Sequence, residues 1–126
     1  MTTLYERIGG DKPINQLCRL ATRKIFEDAR TSSFFVDVDF ENHVSVVTDY
    51  FVMGMGGPDN YSAISKNMVD VHSKLRKDKG LNETHFKAVI EICKDAMIEL
   101  STSEDIRKDL EVMLESHREI IVGKEE

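Results

Sequence analysis

The sequence predicts an all-α fold, and three observations carry that reading. Apolar residues recur at spacings of three and four through most of the chain, the period of an amphipathic helix. Only 2 prolines occur among 126 residues. Runs with the two-residue alternation of a strand are few. The length suits one domain spanning residues 1–126, whose core buries roughly two thirds of the surface that the unfolded chain exposes. With 40% hydrophobic and 32% charged residues, the chain has the composition of a globular protein rather than a disordered one.

The first long helix opens after Gly9-Gly10. Asp11 starts it, Pro13 sits near its first turn, where a missing N–H is harmless, and Ile14, Leu17, Cys18, Ala21 and Ile25 form one face, running to about Ala29. Thr31-Ser32-Ser33 breaks the pattern ahead of Phe34-Phe35. The acidic corner Val36-Asp37-Val38-Asp39 caps a second helix that carries His43, Val44, Val47, Tyr50, Phe51 and Gly54. His43, Val47 and Phe51 are spaced by four and share a face. Gly56-Gly57-Pro58-Asp59-Asn60 stops this helix, and a loop is expected to follow. Ile64, Met68, Val71, His72 and Leu75 then mark a short helical stripe that dissolves into Arg76-Lys77-Asp78-Lys79, with Gly80 as the stop. Asn82 is the N-cap of a longer helix bearing Phe86, Val89, Ile90, Cys93, Met97 and Leu100. After a link at Ser101 to Ser103, a last helix aligns Ile106, Leu110, Met113, Leu114, His117 and Ile121 before the polar tail from Gly123 to Glu126.

Charge and cysteine usage exclude several classes of function. Asp and Glu outnumber Lys and Arg by 23 to 17, so a general surface for nucleic acid or anionic membrane has no electrostatic basis. No apolar run reaches the roughly 18 residues of a membrane span, and the N-terminal MTTLYERIGG lacks the apolar stretch of a signal peptide, so a cytoplasmic location is expected. The chain is expected to be a monomer. Cys18 and Cys93 have no Cys or His at ligand spacing and read as buried thiols.

The histidines carry the chemistry. Of 4 in the chain, His43, His72 and His117 fall on apolar stripes of different helices, where an imidazole must find a partner or lose about 1–3 kcal/mol. One such histidine is ordinary core; three on separate helices point to a metal centre, since imidazole binds iron, zinc and copper. Zinc is the weaker choice, because no H-E-x-x-H pair is present and a closed site draws on Cys or carboxylates. Haem needs one proximal histidine and apolar walls. His85 directly follows a helix cap and reads as structural or exposed.

Leu4-Tyr5-Glu6-Arg7-Ile8-Gly9-Gly10, the pair Phe34-Phe35, Gly56-Gly57-Pro58, Met68-Val69-Asp70-Val71-His72 and Asn82 to Phe86 occur in an order and spacing that resemble the truncated haemoglobins, group I, including the cyanobacterial members. The resemblance covers nearly the whole chain. It implies a two-over-two helical sandwich around one haem b that binds oxygen, nitric oxide or carbon monoxide. Carried over by position, His72 matches the proximal iron ligand and Phe35 the phenylalanine packed on the porphyrin. His43, Val46 and Val47 fall at distal positions, and Thr22, Phe51, Met68, Leu75 and Phe86 complete the expected lining. His117 matches the histidine that in some relatives bonds covalently to a haem vinyl group.

Two departures bear on function. Where group I proteins commonly carry Phe-Tyr, this chain has Ala21-Thr22, which removes the strong distal hydrogen-bond donor and makes His43 the leading candidate for contacting a sixth ligand or the iron itself. Two extra residues lie between Tyr61 and Met68, Ala63 stands near a family glycine, and Lys66 is a candidate for a haem propionate by charge alone. The primary expectation is a gas-binding haem protein, with nitric oxide oxidation as a candidate reaction fed by an external reductase. The alternatives are a bis-histidyl sensor or electron-transfer protein and, last, a haem-free interaction scaffold.

Overall fold

The computed structural model describes residues 2–57 and 61–123, with the side chains of residues 61–67 outside that description. Its helices are α1 (Leu4–Ile8), α2 (Asp11–Glu27), α3 (Phe40–Gly54), α4 (Tyr61–Lys79), α5 (Glu83–Glu99), α6 (Glu104–Glu115) and α7 (Arg118–Val122), with a single 3-10 turn at Ser32–Phe35. No strand occurs among the described residues.

Local chemistry sets most of the boundaries. Asp39 caps α3 by accepting from the N–H of Asn42, a bond worth about 1 kcal/mol. At the start of α5, Asn82 accepts from the N–H of Thr84 while His85 Nδ1 accepts from the N–H of Asn82, a reciprocal cap that explains His85. Gly80 ends α4 at a φ of +70°, a conformation that glycine enters without the clash of a Cβ.

Four helices build the core. α2 packs most extensively on α3 and also on α5, which in turn packs on α6. Ile14, Leu17, Cys18 and Ala21 of α2 meet Tyr50 and Phe51 of α3, Phe86, Ile90, Cys93 and Met97 of α5, and Leu110, Met113 and Leu114 of α6 in one buried cluster. These are the two layers of two helices that the resemblance to the truncated haemoglobins implies. α4 stands apart from this arrangement, joined mainly to α7 and only slightly to α3.

The structure corrects the sequence reading at four places. α1 was not expected; a capping box between Thr3 and Glu6 starts it, Arg7 ties it to Asp105 and Asp109 of α6, and the N–H of Tyr5 reaches the carbonyl of Met55 at 2.8 Å. α2 ends at Glu27 rather than Ala29, where Asp28 turns extended and its carboxylate takes the N–H and guanidinium of Arg30. The loop expected after the glycines is helix from Tyr61, and the charged run stays helical to Lys79, because a helix with one apolar side tolerates charges on its solvent side. The last helix is broken. α6 stops at Glu115, where Ser116 Oγ donates to the Met113 carbonyl, and His117 becomes the N-cap of α7 instead of a point on a continuous stripe. Pro58, Asp59 and Asn60 of the stop motif lie outside the described residues.

Candidate functional site

His72 lies on α4 with its Nδ1 2.7 Å from the carbonyl oxygen of Met68, one turn earlier. A carbonyl only accepts, so Nδ1 carries the proton and Nε2 keeps its lone pair. Burial, the larger effect, and the nearby Arg76 charge push the imidazole pKa below its ordinary value, although the Met68 bond opposes them. The result is a neutral, oriented imidazole with one free nitrogen, the state in which histidine ligates a metal.

His43 lies one turn into α3. Phe35 packs against it with ring centroids 5.0 Å apart, and Phe26 lies 5.7 Å away. Phe26 and Phe35 stack on each other at 4.8 Å, and Phe40 closes the group edge-on at 5.6 Å from Phe26. Burial lowers the pKa of His43, and repulsion between the protonated forms of His43 and His72 lowers it further. Both imidazoles are half-buried, His43 on α3 and His72 on α4, two helices that touch.

The remaining expected residues are distributed around this region. Thr22 is buried in α2, four residues before Phe26 and therefore on the same face. Phe51 and Phe86 are buried members of the core, and Val47 and Met68 pack against it, half-buried. Val46 is turned outward and 41% exposed, because α3 directs Val44 rather than Val46 into the core. Leu75 lines a cavity of about 240 Å³ with Phe34, Val71, Lys74, Asp78 and Lys79. His117 packs its ring on Tyr50 with centroids 5.1 Å apart, and its Nδ1 donates to the Met113 carbonyl at 2.8 Å, so its Nε2 is also left with a lone pair. The Lys66 and Ala63 side chains lie outside the described residues.

Phe26 and Arg76 were not read as site residues from the sequence, and Tyr50 was read only as part of the apolar stripe of its helix. Phe26 was readable from its spacing to Thr22. Tyr50 lies seven residues after His43 and three after Val47, which puts all three on one face of α3. Its hydroxyl is buried and has no hydrogen-bond partner. Among the described residues no three His, Cys, Asp or Glu side chains could together hold a bare metal ion. The donor set is therefore one of single imidazoles with apolar and aromatic walls. Such a set fits a planar macrocycle that brings its own equatorial ligands, with His72 to hold its metal and the phenylalanines to cover its faces.

Comparison with known proteins agrees with that chemistry. The model of the family described as bacterial-like globin matches residues 3–122. The chain is 30% identical over 122 residues to a group 1 truncated hemoglobin of Tetrahymena pyriformis, covering 97% of this chain and 96% of that one. It is also 30% identical over 106 residues, 84% of each chain, to the group 1 truncated hemoglobin GlbN of a Synechocystis species. Among solved structures, the 2/2 hemoglobin of a Synechococcus species, described as cyanomet and with covalently attached heme, superimposes with a TM-score of 0.91 at 26% identity, covering 98% of this chain and 100% of that one. The extent of these matches and the two-over-two helices agree: the chain belongs to the bacterial-like globin family and, within it, to the group 1 truncated haemoglobins, a family of haem-binding globins.

Proposed function

We propose that this globin binds haem b through His72 and takes diatomic gases on the side of His43, with the oxidation of nitric oxide to nitrate as its reaction. The observation that carries the reading is the hydrogen bond from His72 Nδ1 to Met68, which presents a neutral Nε2 from a half-buried position. Haem, when bound, supplies the iron and its redox chemistry. The chain supplies the imidazole, an aromatic enclosure from Phe26 and Phe35, and apolar cover from Val47, Phe51 and Phe86.

Thr22 stands where relatives place a tyrosine, so His43 is the leading candidate for the polar group on that side. With its pKa lowered, it is neutral at pH 7 and able either to donate one hydrogen bond or to ligate through a lone pair. We assign it the second role in the resting protein, so that gas binding waits for its release. Forming nitrate from nitric oxide and oxygen consumes one electron per turnover, which calls for an external reductase. A bis-histidyl electron-transfer role is the second reading, favoured by the presence of one half-buried imidazole on each of the touching helices α3 and α4.

His117 is assigned a bond that Nε2 would form with one carbon of a haem vinyl group, the C=C π bond opening and the other vinyl carbon taking a proton from solvent, so that no net oxidation or reduction occurs; the Nδ1 contact with the Met113 carbonyl orients the ring for this. Acid-solvent extraction of the reduced, haem-loaded protein tests that bond: retained haem supports it and complete extraction rejects it. Nitrate measured after mixing reduced, haem-loaded protein with oxygen and nitric oxide tests the reaction. Stoichiometric nitrate is expected; its absence while gas binding persists would favour the electron-transfer reading.

A further inference from the structure

We infer that Arg76 is a positioning residue: from α4 it clasps the end of α7 and thereby sets where His72, one turn earlier, presents its imidazole. The inference rests on the reading of His72 as the residue that holds the haem iron. α4 makes its main packing against α7, so whatever fixes α7 fixes the helix that carries His72.

The grip is made by one guanidinium. Arg76 Nη1 donates to the carbonyl of Ile120 at 3.1 Å and to that of Ile121 at 3.0 Å. Both belong to the last turn of α7, whose carbonyls have no partner within the helix, and a cation there also suits the helix dipole. The N–H of Gly123 takes the Glu119 carbonyl, so three carbonyls of that turn are satisfied. Gly123 also makes the room. A Cβ at this position would lie 3.2 Å from Arg76 Nε and 3.4 Å from Cζ, and the φ of +84° disfavours any other residue.

α7 is itself anchored to the body of the fold. Arg118 at its first position pairs through two nitrogens with both carboxylate oxygens of Glu83, at the start of α5. A chain of contacts therefore runs from α5 through α7 to Arg76 and on to His72. Residues four apart lie on one face of a helix, so a displacement of Arg76 carries His72 with it as part of one rigid turn. A merely solvated surface cation would be exposed and would not spend both bonds on backbone carbonyls; Arg76 is half-buried and does.

The test uses Arg76→Met, Gly123→Ala, which attacks the same contact from α7, and Arg76→Lys. Two readouts are taken: amide hydrogen exchange of the haem-free protein, and the iron–histidine stretching band of the ferrous, haem-loaded protein, the band being recorded in a His43→Leu background in which no sixth ligand from α3 suppresses it. Both disrupting variants are expected to speed exchange in α4 and α7 by about tenfold or more while α2, α3 and α5 keep wild-type rates. The band should shift or broaden in both, and Arg76→Lys should return both readouts toward wild type. Unchanged α4 exchange in the two disrupting variants would overturn the clasp; faster exchange with an unchanged band would overturn its role in placing His72. Failure of the wild-type protein to take up haem would overturn the reading of His72 itself, and the exchange measurements, made without haem, keep that result distinct from absence of the clasp.

Discussion

The carbonyl of Met68 accepts the Nδ1 proton of His72 at 2.7 Å, which leaves Nε2 as the free nitrogen of that ring. If this nitrogen is the haem ligand, His72→Gly removes ordinary ligation without disturbing a buried core position. The haem-loaded variant should lose the wild-type ferrous spectrum, and millimolar free imidazole should restore it. A variant spectrum identical to wild type would show that another residue ligates.

His43 packs against the stacked rings of Phe35 and Phe26, at centroid distances of 5.0 and 5.7 Å. With His43 as sixth ligand, the ferric protein is low-spin, and His43→Leu should convert it to high-spin while speeding carbon monoxide binding to the ferrous form. Low-spin spectra in both proteins would remove His43 from the iron.

The Tyr50 hydroxyl is buried without a partner. A buried, unsatisfied hydroxyl costs about 1–3 kcal/mol, so Tyr50→Phe should leave the haem-free protein as stable as wild type or more stable by about 1 kcal/mol. Urea unfolding measures this, and a loss of more than about 1 kcal/mol would show that the hydroxyl is hydrogen-bonded.

Burial pushes the thiols of Cys18 and Cys93 up to about 12, so neither is a thiolate at neutral pH. Ellman's reagent should label neither in the folded protein and both after denaturation. Rapid labelling without denaturant would contradict the burial of the thiols.

Acid should destabilise the haem-free protein through its histidines. The pKa values of His43 and His72 are lowered from 6.5 in the folded chain, so the unfolded chain binds more protons between the two values. Stability is therefore full above pH 6.5 and falls as pH drops from there toward the folded values. Urea midpoints measured from pH 7.5 to 5 should decline, and the His43→Leu, His72→Leu double variant should flatten that decline. An equal slope in the double variant would assign the acid sensitivity to other groups.

What could be read from the sequence was what local chemistry decides. Pro13, Asp39, Gly80 and Asn82 mark helix ends by their own backbone or side-chain properties, and each does so in the structure. The apolar stripes of α2, α3 and α5 likewise meet in one core. The length of α4 was hidden because its polar residues resemble a loop and its partner, α7, is distant in the chain. The break after α6 was hidden too, since Ser116 and His117 carry no glycine or proline signal and act by taking the Met113 carbonyl with their side chains. At the site, His72 and His43 were legible as imidazoles on apolar faces. The Arg76 clasp was not, since a charge run gives no sign of which member folds back onto carbonyls 44 and 45 residues further on.

Titration of the haem-free protein with haemin, followed by its absorption spectrum in the ferric, ferrous and carbonmonoxy states, tests the central claim most directly. The expected result is uptake of one haem per chain, with a low-spin bis-histidyl spectrum in the ferric state and a histidine-ligated carbonmonoxy spectrum that disappears in His72→Ala. Absence of stoichiometric uptake, or a carbonmonoxy spectrum unaffected by that substitution, would contradict it.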